Sequence, residues 1–166
     1  KEMEAGQAKL MVFPELCLTG YDCRDLFWQD ALLAGAKEQL LLLAGATKET
    51  DALIFVGLPL EYEGKLYNVA AALNHGRILG FIPKKNLPSY SEFYESRHFT
   101  SGEEEIHFLK FGEEEIPFGM NLIFRCEGMP RFSVAAEICE DLWVPDPPSV
   151  SHALAGANII VNLSAS

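Results

Sequence analysis

An α/β fold, a mixed sheet covered by helices, is what the sequence predicts, and three observations predict it. Short apolar runs of strand type are punctuated by helical segments. The runs at the two ends of the chain are apolar throughout, as strands covered on both faces are. Between them lie hairpin signals, which make the pairing mixed rather than all parallel.

Residues 9–13 read as a buried strand stopped by Pro14. A loop containing Thr19, Gly20 and Tyr21 follows, and residues 25–48 read as helix, with an interruption expected near Gly35. Residues 53–58, 66–74 and 77–82 are strand-like, and His75-Gly76 between the last two is a two-residue hairpin turn. After a long polar segment come strands at 106–111, 121–126 and 132–138, with "EGMP" as the turn before the third. "PPSVSHALAGA" is a helix entered through Pro148 and Ser149, leading to a buried strand at 158–162. No Gly/Ser or Pro-rich linker divides the chain, so one domain is expected.

The 166 residues carry 13 Lys+Arg against 24 Asp+Glu, a net charge of −11. That balance argues against nucleic acid or an anionic membrane as partner. Much of the acidity lies in "GEEEI", at 102–106 and again at 112–116. Without an Asx-Gly loop pattern these acids are expected to be solvated turn residues rather than a cation site. Cys17, Cys23, Cys126 and Cys139 form no C-x-x-C pair and have no histidine at metal-ligand spacing, so no metal is expected. Reduced thiols in a cytoplasmic protein are the simpler reading. No apolar run approaches the ~20 residues of a membrane helix.

In open α/β sheets ligands collect beyond the carboxyl ends of strands. Glu15 follows "LMVFP", Lys84-Lys85 follows "ILGFIP", and Cys139 follows "FSVAAEI". Singly, each has an ordinary explanation as a solvated charge or a small core side chain. Together they form a chemical set. A cysteine nucleophile needs a group to take its proton and another to hold charge on the attacked carbonyl. A desolvated carboxylate serves as base when an ammonium beside it compensates the charge. His98 is the one histidine that remains open as an alternative base. Adjacent strand-end residues point opposite ways, so the residues alone do not choose between Lys84 and Lys85.

At these positions the sequence resembles the nitrilase superfamily of carbon–nitrogen hydrolases, through "FPELCLTGY" (13–21), "PKKNLPSYSEFYESRHFTSG" (83–102) and "EICEDLW" (137–143). Within it, "LTGYDCRDLF", "LPSYSEFYE" and "CEDLWVPDPPS" followed by "ALAGANIIVNLSAS" are most similar to the glutaminase domain of glutamine-dependent NAD synthetases. The resemblance implies a four-layer αββα sandwich, of which residues 1–166 would be a partial domain truncated at both ends; with sheet edges exposed, such a piece is expected to be inactive, unstable alone, or completed by association with another copy in a homo-oligomer. It assigns Cys139 as nucleophile, Glu15 as general base and, through the pattern K-x-x-L-P, Lys84 as the charge-stabilising residue. Glu95 would orient Lys84 or the substrate, the alternative being a solvated loop acid. The Glu140 backbone N–H would join Lys84 in an oxyanion hole, and its carboxylate would bind the α-amino group of glutamine. Tyr21, Tyr90 and Phe93 would line the pocket, with packing as their alternative role, and Ser166 would help hold glutamine. The implied reaction is hydrolysis of the glutamine side-chain amide through a cysteine thioester, without a cofactor, the alternatives being a stand-alone amidase on another amide or nitrile and a noncatalytic α/β interaction fragment. The ammonia would pass to a synthetase domain, absent from this chain, that uses ATP and Mg to amidate deamido-NAD. No Gly-rich phosphate loop is present here.

Overall fold

A computed structural model describes residues 8–165. Two sheets lie face to face. The larger has six strands: β1 (Leu10–Val12), β2 (Leu53–Tyr62), β3 (Lys65–Asn74), β4 (Arg77–Pro83), β5 (His107–Phe111) and β6 (Glu114–Phe118), in the order β1-β2-β3-β4-β6-β5. The smaller contains β7 (Phe124–Cys126), β8 (Met129–Ile138) and β9 (Ile159–Leu163), in chain order. β1 runs parallel to β2 and β8 parallel to β9, whereas β2-β3-β4 is an antiparallel meander. The pairing is therefore mixed, as expected.

Side-chain alternation separates the layers. Ile54, Val56 and Leu58 of β2, with Val69, Ala71 and Leu73 of β3, pack outward against Leu40 and Ala44 of α1 (Asp30–Ala46). Their neighbours Leu53, Phe55, Ala70, Ala72 and Ile82 point the other way, onto Val134, Ala136 and Ile138 of β8 and Val161 and Leu163 of β9. Phe55 is fully buried and meets Phe124 edge to face at 5.6 Å. Side chains of this size each contribute roughly 1.5–3 kcal/mol when removed from water. Beyond the small sheet, α2 (Pro148–Leu154) buries His152, whose Nε2 lies 3.0 Å from the Met120 carbonyl. The layers run helix, sheet, sheet, helix. No helix among the described residues is long and apolar enough to cross a membrane.

Three local expectations are corrected. The helix does not break at Gly35, which has open space around it inside α1. The break comes earlier, at the extended Gln29, which separates a 3₁₀ turn (Arg24–Trp28) from α1. The second "GEEEI" is not all turn: Glu114 and Glu115 begin β6, which alternation over so short a run did not reveal, and it buries Ile116 and Phe118. The strand expected from 121 begins at Phe124, while Met129 and Pro130 of "EGMP" already belong to β8. The His75-Gly76 turn has both residues at positive φ, 46° and 80°, the geometry a two-residue hairpin requires.

Candidate active site

The interlayer face becomes polar where β1, β4 and β8 end, beside the first residues of β3. Asn68 on β3 shares the inward side with Ala70 and Ala72, and the Lys84 N–H donates to the Asn68 carbonyl at 2.9 Å. Lys84, the residue after β4, therefore enters the seam between the sheets, and it is only 1% exposed. Lys85, pointing the other way, pairs with Glu104 at the surface.

Glu15 reaches the same place from the loop after β1. Residues 14–16 lie directly on the inner face of β2 at Gly57, where a Cβ would stand 2.3 Å from the Leu16 nitrogen and 2.6 Å from the Pro14 oxygen. Only glycine permits this contact. The Leu18 N–H, donating to the Gly57 carbonyl at 3.1 Å, fastens the loop.

Lys84 Nζ donates to Glu15 Oε1 and to Glu95 Oε1, each at 2.7 Å. Asn68 Nδ2 donates to Glu15 Oε1 at 2.7 Å and reaches Glu95 Oε2 at 3.5 Å, and the Tyr21 hydroxyl donates to Glu95 Oε1 at 2.7 Å. All three charges are buried. Two carboxylates on one ammonium leave an excess negative charge in a desolvated site. Burial raises the Glu15 carboxyl above its ordinary value; Lys84 opposes this and Glu95 adds to it. Burial alone would lower the Lys84 ammonium, but its two carboxylate partners outweigh that and raise it. Glu15 Oε2 is buried and without a hydrogen-bond partner among the described residues.

Cys139 follows β8, opening a second 3₁₀ turn (Cys139–Trp143), and belongs to the same interlayer apolar cluster as Ile82 and Ile138. Its φ is +45°, a strained value for a residue with a Cβ. The turn is joined to the Lys84 loop, because Asp141 Oδ1 accepts from both the Asn86 backbone N–H (2.8 Å) and Asn86 Nδ2 (2.9 Å). Tyr21 and Tyr90 sit within electrostatic range of both sides. Burial first, then the bond to Glu95, raises the Tyr21 hydroxyl, with Glu15 and Cys139 adding to the effect. For Tyr90 the rise comes first from its bond to Glu140, then from burial, with Cys139 also contributing and Lys84 opposing.

The remaining expected residues are placed as follows. Tyr90 donates to Glu140 Oε2 at 2.8 Å. Phe93 meets Tyr90 edge to face at 5.6 Å and Tyr21 at 6.3 Å, so the three rings form one chain. Glu95 is buried on Lys84, not solvated. His98 lies 3.3 Å from Asp25 Oδ1 and packs on Phe27 and Trp28. Ser166 lies outside the described residues. Ser164, two positions earlier, donates to Cys139 Sγ at 3.4 Å. Asn68, Gly57, Ser164 and Asp141 were missed by sequence reasoning. The findable signals were a lone Asn in an apolar strand run and a Gly among β-branched and aromatic residues.

Residues 1–166 match the carbon-nitrogen hydrolase family over their whole length. The chain belongs to that family. It is similar to the glutamine-dependent NAD(+) synthetase of Mycobacterium tuberculosis, 42% identical over 96% of this chain and 23% of the relative. The enzyme of the same name from Aquifex aeolicus is 35% identical over 96% of this chain and 25% of the relative. The crystal structure of a glutamine-dependent NAD(+) synthetase from Cytophaga hutchinsonii superposes with a TM-score of 0.85 at 30% identity, covering 99% of this chain and 26% of that one. An amidase from Nesterenkonia sp. AN1, in which acrylamide has added to the active-site cysteine, shares the fold at a TM-score of 0.66 and 19% identity, covering 98% of this chain and 56% of that one. The chain thus has the α/β nitrilase-type sandwich and spans about a quarter of the length of the synthetases it matches.

Proposed function

We propose that this segment hydrolyses the side-chain amide of glutamine and so supplies ammonia for amidation of deamido-NAD by an ATP- and Mg-dependent synthetase domain. The observation that carries the reading is the buried Lys84 held between Glu15 and Glu95, with Glu15 Oε2 unpartnered, at the seam that also contains Cys139. Family membership and the names of the relatives support it.

Glu15 takes the Cys139 thiol proton through the open oxygen, which its raised pKa suits. The thiolate attacks the amide carbon, and negative charge on the carbonyl oxygen is held by the Lys84 ammonium and the Glu140 backbone N–H. Glu15 returns the proton to the departing nitrogen, so ammonia leaves and a glutamyl thioester remains. It then deprotonates water, which attacks the thioester to release glutamate and regenerate the thiol. The Glu140 carboxylate, held by Tyr90, suits the substrate α-ammonium. Asn68 and Tyr21 keep Glu15 and Glu95 turned toward Lys84. The step needs no cofactor of its own.

Ammonia release from a panel of amides and nitriles by the full-length protein tests the substrate. Glutamine is expected to be the best, and a place among the poorest overturns the reading. Cys139→Ala is expected to abolish release, and unchanged turnover refutes the nucleophile.

A further inference from the structure

Asp141 is 2% exposed; its hydrogen bonds go to Asn86 and Ile138, and Lys84 lies within electrostatic range of its carboxylate. Its carboxylate nevertheless accepts three hydrogen bonds in a place where burying a charge is costly. Oδ2 accepts from the Ile138 backbone N–H at 3.1 Å, and Oδ1 accepts from the Asn86 N–H at 2.8 Å and Nδ2 at 2.9 Å. Ile138 immediately precedes Cys139, and Asn86 stands two residues after Lys84. The carboxylate therefore spans the two sheets at the point where one carries the thiol and the other the ammonium. Burial raises this acid, while the Asn86 and Ile138 donors and the Lys84 charge oppose the rise.

The backbone adds a second reason. Cys139 holds φ at +45°, a conformation that persists only when its surroundings over-determine it. On its own strand the donor just before it is tied to Asp141, and just after it Asn162 Nδ2 donates to the Cys139 carbonyl at 3.3 Å. The Asp141 bonds continue from the residue before Cys139 across to the backbone of the other sheet's loop at Asn86.

We propose that Asp141 is a positioning residue that, through Asn86, fixes the register of Cys139 against Lys84 and Glu15. The proposal rests on Cys139 acting as the nucleophile. In Asp141→Asn one accepting oxygen becomes an amino group that faces a donor, so one end of the clasp opens with little change of volume. Loss of register acts on the chemical step, since a displacement near 1 Å costs on the order of 100-fold in rate.

The test is steady-state glutamine turnover by the full-length protein, with the rate of Cys139 alkylation by iodoacetamide measured alongside. For Asp141→Asn, kcat is expected to fall about 100-fold with KM within about threefold, and alkylation to slow in parallel. Asn86→Ala, which keeps the backbone bond, is expected to lower the same two quantities about tenfold, and it decides the matter should Asp141→Asn fail to fold. Wild-type kcat and alkylation in Asn86→Ala, or a loss confined to KM, overturns the proposal. An inactive Cys139→Ala beside a fully active Asn86→Ala removes the clasp alone, whereas a fully active Cys139→Ala removes the nucleophile on which it depends.

Discussion

Gly57→Ala separates two opposed effects of one methyl group. Gly57 is a strand residue without positive φ, so alanine fits its backbone and, other things equal, would stabilise the strand by about 0.5–1 kcal/mol. Other things are not equal. The new Cβ would stand 2.3 Å from the Leu16 nitrogen, 2.6 Å from the Pro14 oxygen and 2.8 Å from the Glu15 carbonyl carbon. Ordinary contact begins near 3.4 Å, so the loop must lift by about 1 Å, and backbone atoms have no rotamer by which to escape. Overpacking of this kind costs roughly 1–3 kcal/mol, which outweighs the gain from propensity. The displaced residue is Glu15 itself, so its 2.7 Å contact with Lys84 is lost with the shift, and glutamine turnover is expected to fall on the order of 100-fold. Urea unfolding and ammonia release in the full-length protein measure the two effects. Gly35→Ala, in α1 with nothing within 4 Å of its Cβ, is the control, and should gain stability and keep full activity. A Gly57→Ala protein with wild-type kcat and undiminished stability refutes the argument that this loop must lie on bare backbone.

Lys84→Met leaves Glu15 and Glu95 buried without their cation and is expected to cost about 3–5 kcal/mol at neutral pH. Glu15, already raised by burial, then loses the ammonium that opposes the rise and binds a proton more readily in the folded than in the unfolded state, so the penalty is greatest above the ordinary carboxylate range and shrinks as pH falls. Urea midpoints at pH 5 and pH 8 check this, and an equal or larger loss at pH 5 contradicts it. Because Glu15 is raised above the ordinary glutamate value of 4.5, kcat/KM should fall on the acid side at a pH above that value, as the base becomes protonated. Lys84, raised above 10.5, stays cationic through the alkaline side; an acid limb at or below pH 4.5 counts against Glu15 as base. Tyr90→Phe removes the donor to Glu140 and should raise the glutamine KM about three- to tenfold while sparing kcat, measured by initial rates; a fall in kcat at constant KM contradicts the assignment of Glu140 to binding.

What was legible in the chain follows the range of the interaction that decides it. The His75-Gly76 turn depends on two adjacent residues adopting positive φ, and adjacent residues can be read. The choice of Lys84 over Lys85 required the inward side of β4, and the alternation of Ile82 and Lys84 beside Asn68 settles it in the fold. The position of the helix break was not legible. A glycine costs a helix only about 1 kcal/mol where nothing crowds it, whereas burial of Phe27 in the preceding turn depends on Phe99, 72 residues away. Asn68 looked like a tolerated polar residue in an apolar strand, because its two carboxylate partners come from a loop 53 residues before it and from a short helix (Glu95–His98) that begins 27 after it. Asp141 was hidden for the same reason: Asn86, its partner, is 55 residues away.

The acid and the amine are carried by one sheet and the thiol by the other, and what joins the layers is mostly side-chain packing. On the proposed mechanism, small rigid-body slippage of one layer over its neighbour would disconnect the sulfur from its proton acceptor while every strand kept its hydrogen bonds. On that mechanism such a molecule is expected to lose activity in mild urea or under hydrostatic pressure before its circular dichroism changes. Compounds that wedge the two layers apart would then silence it without occupying the proposed place of glutamine.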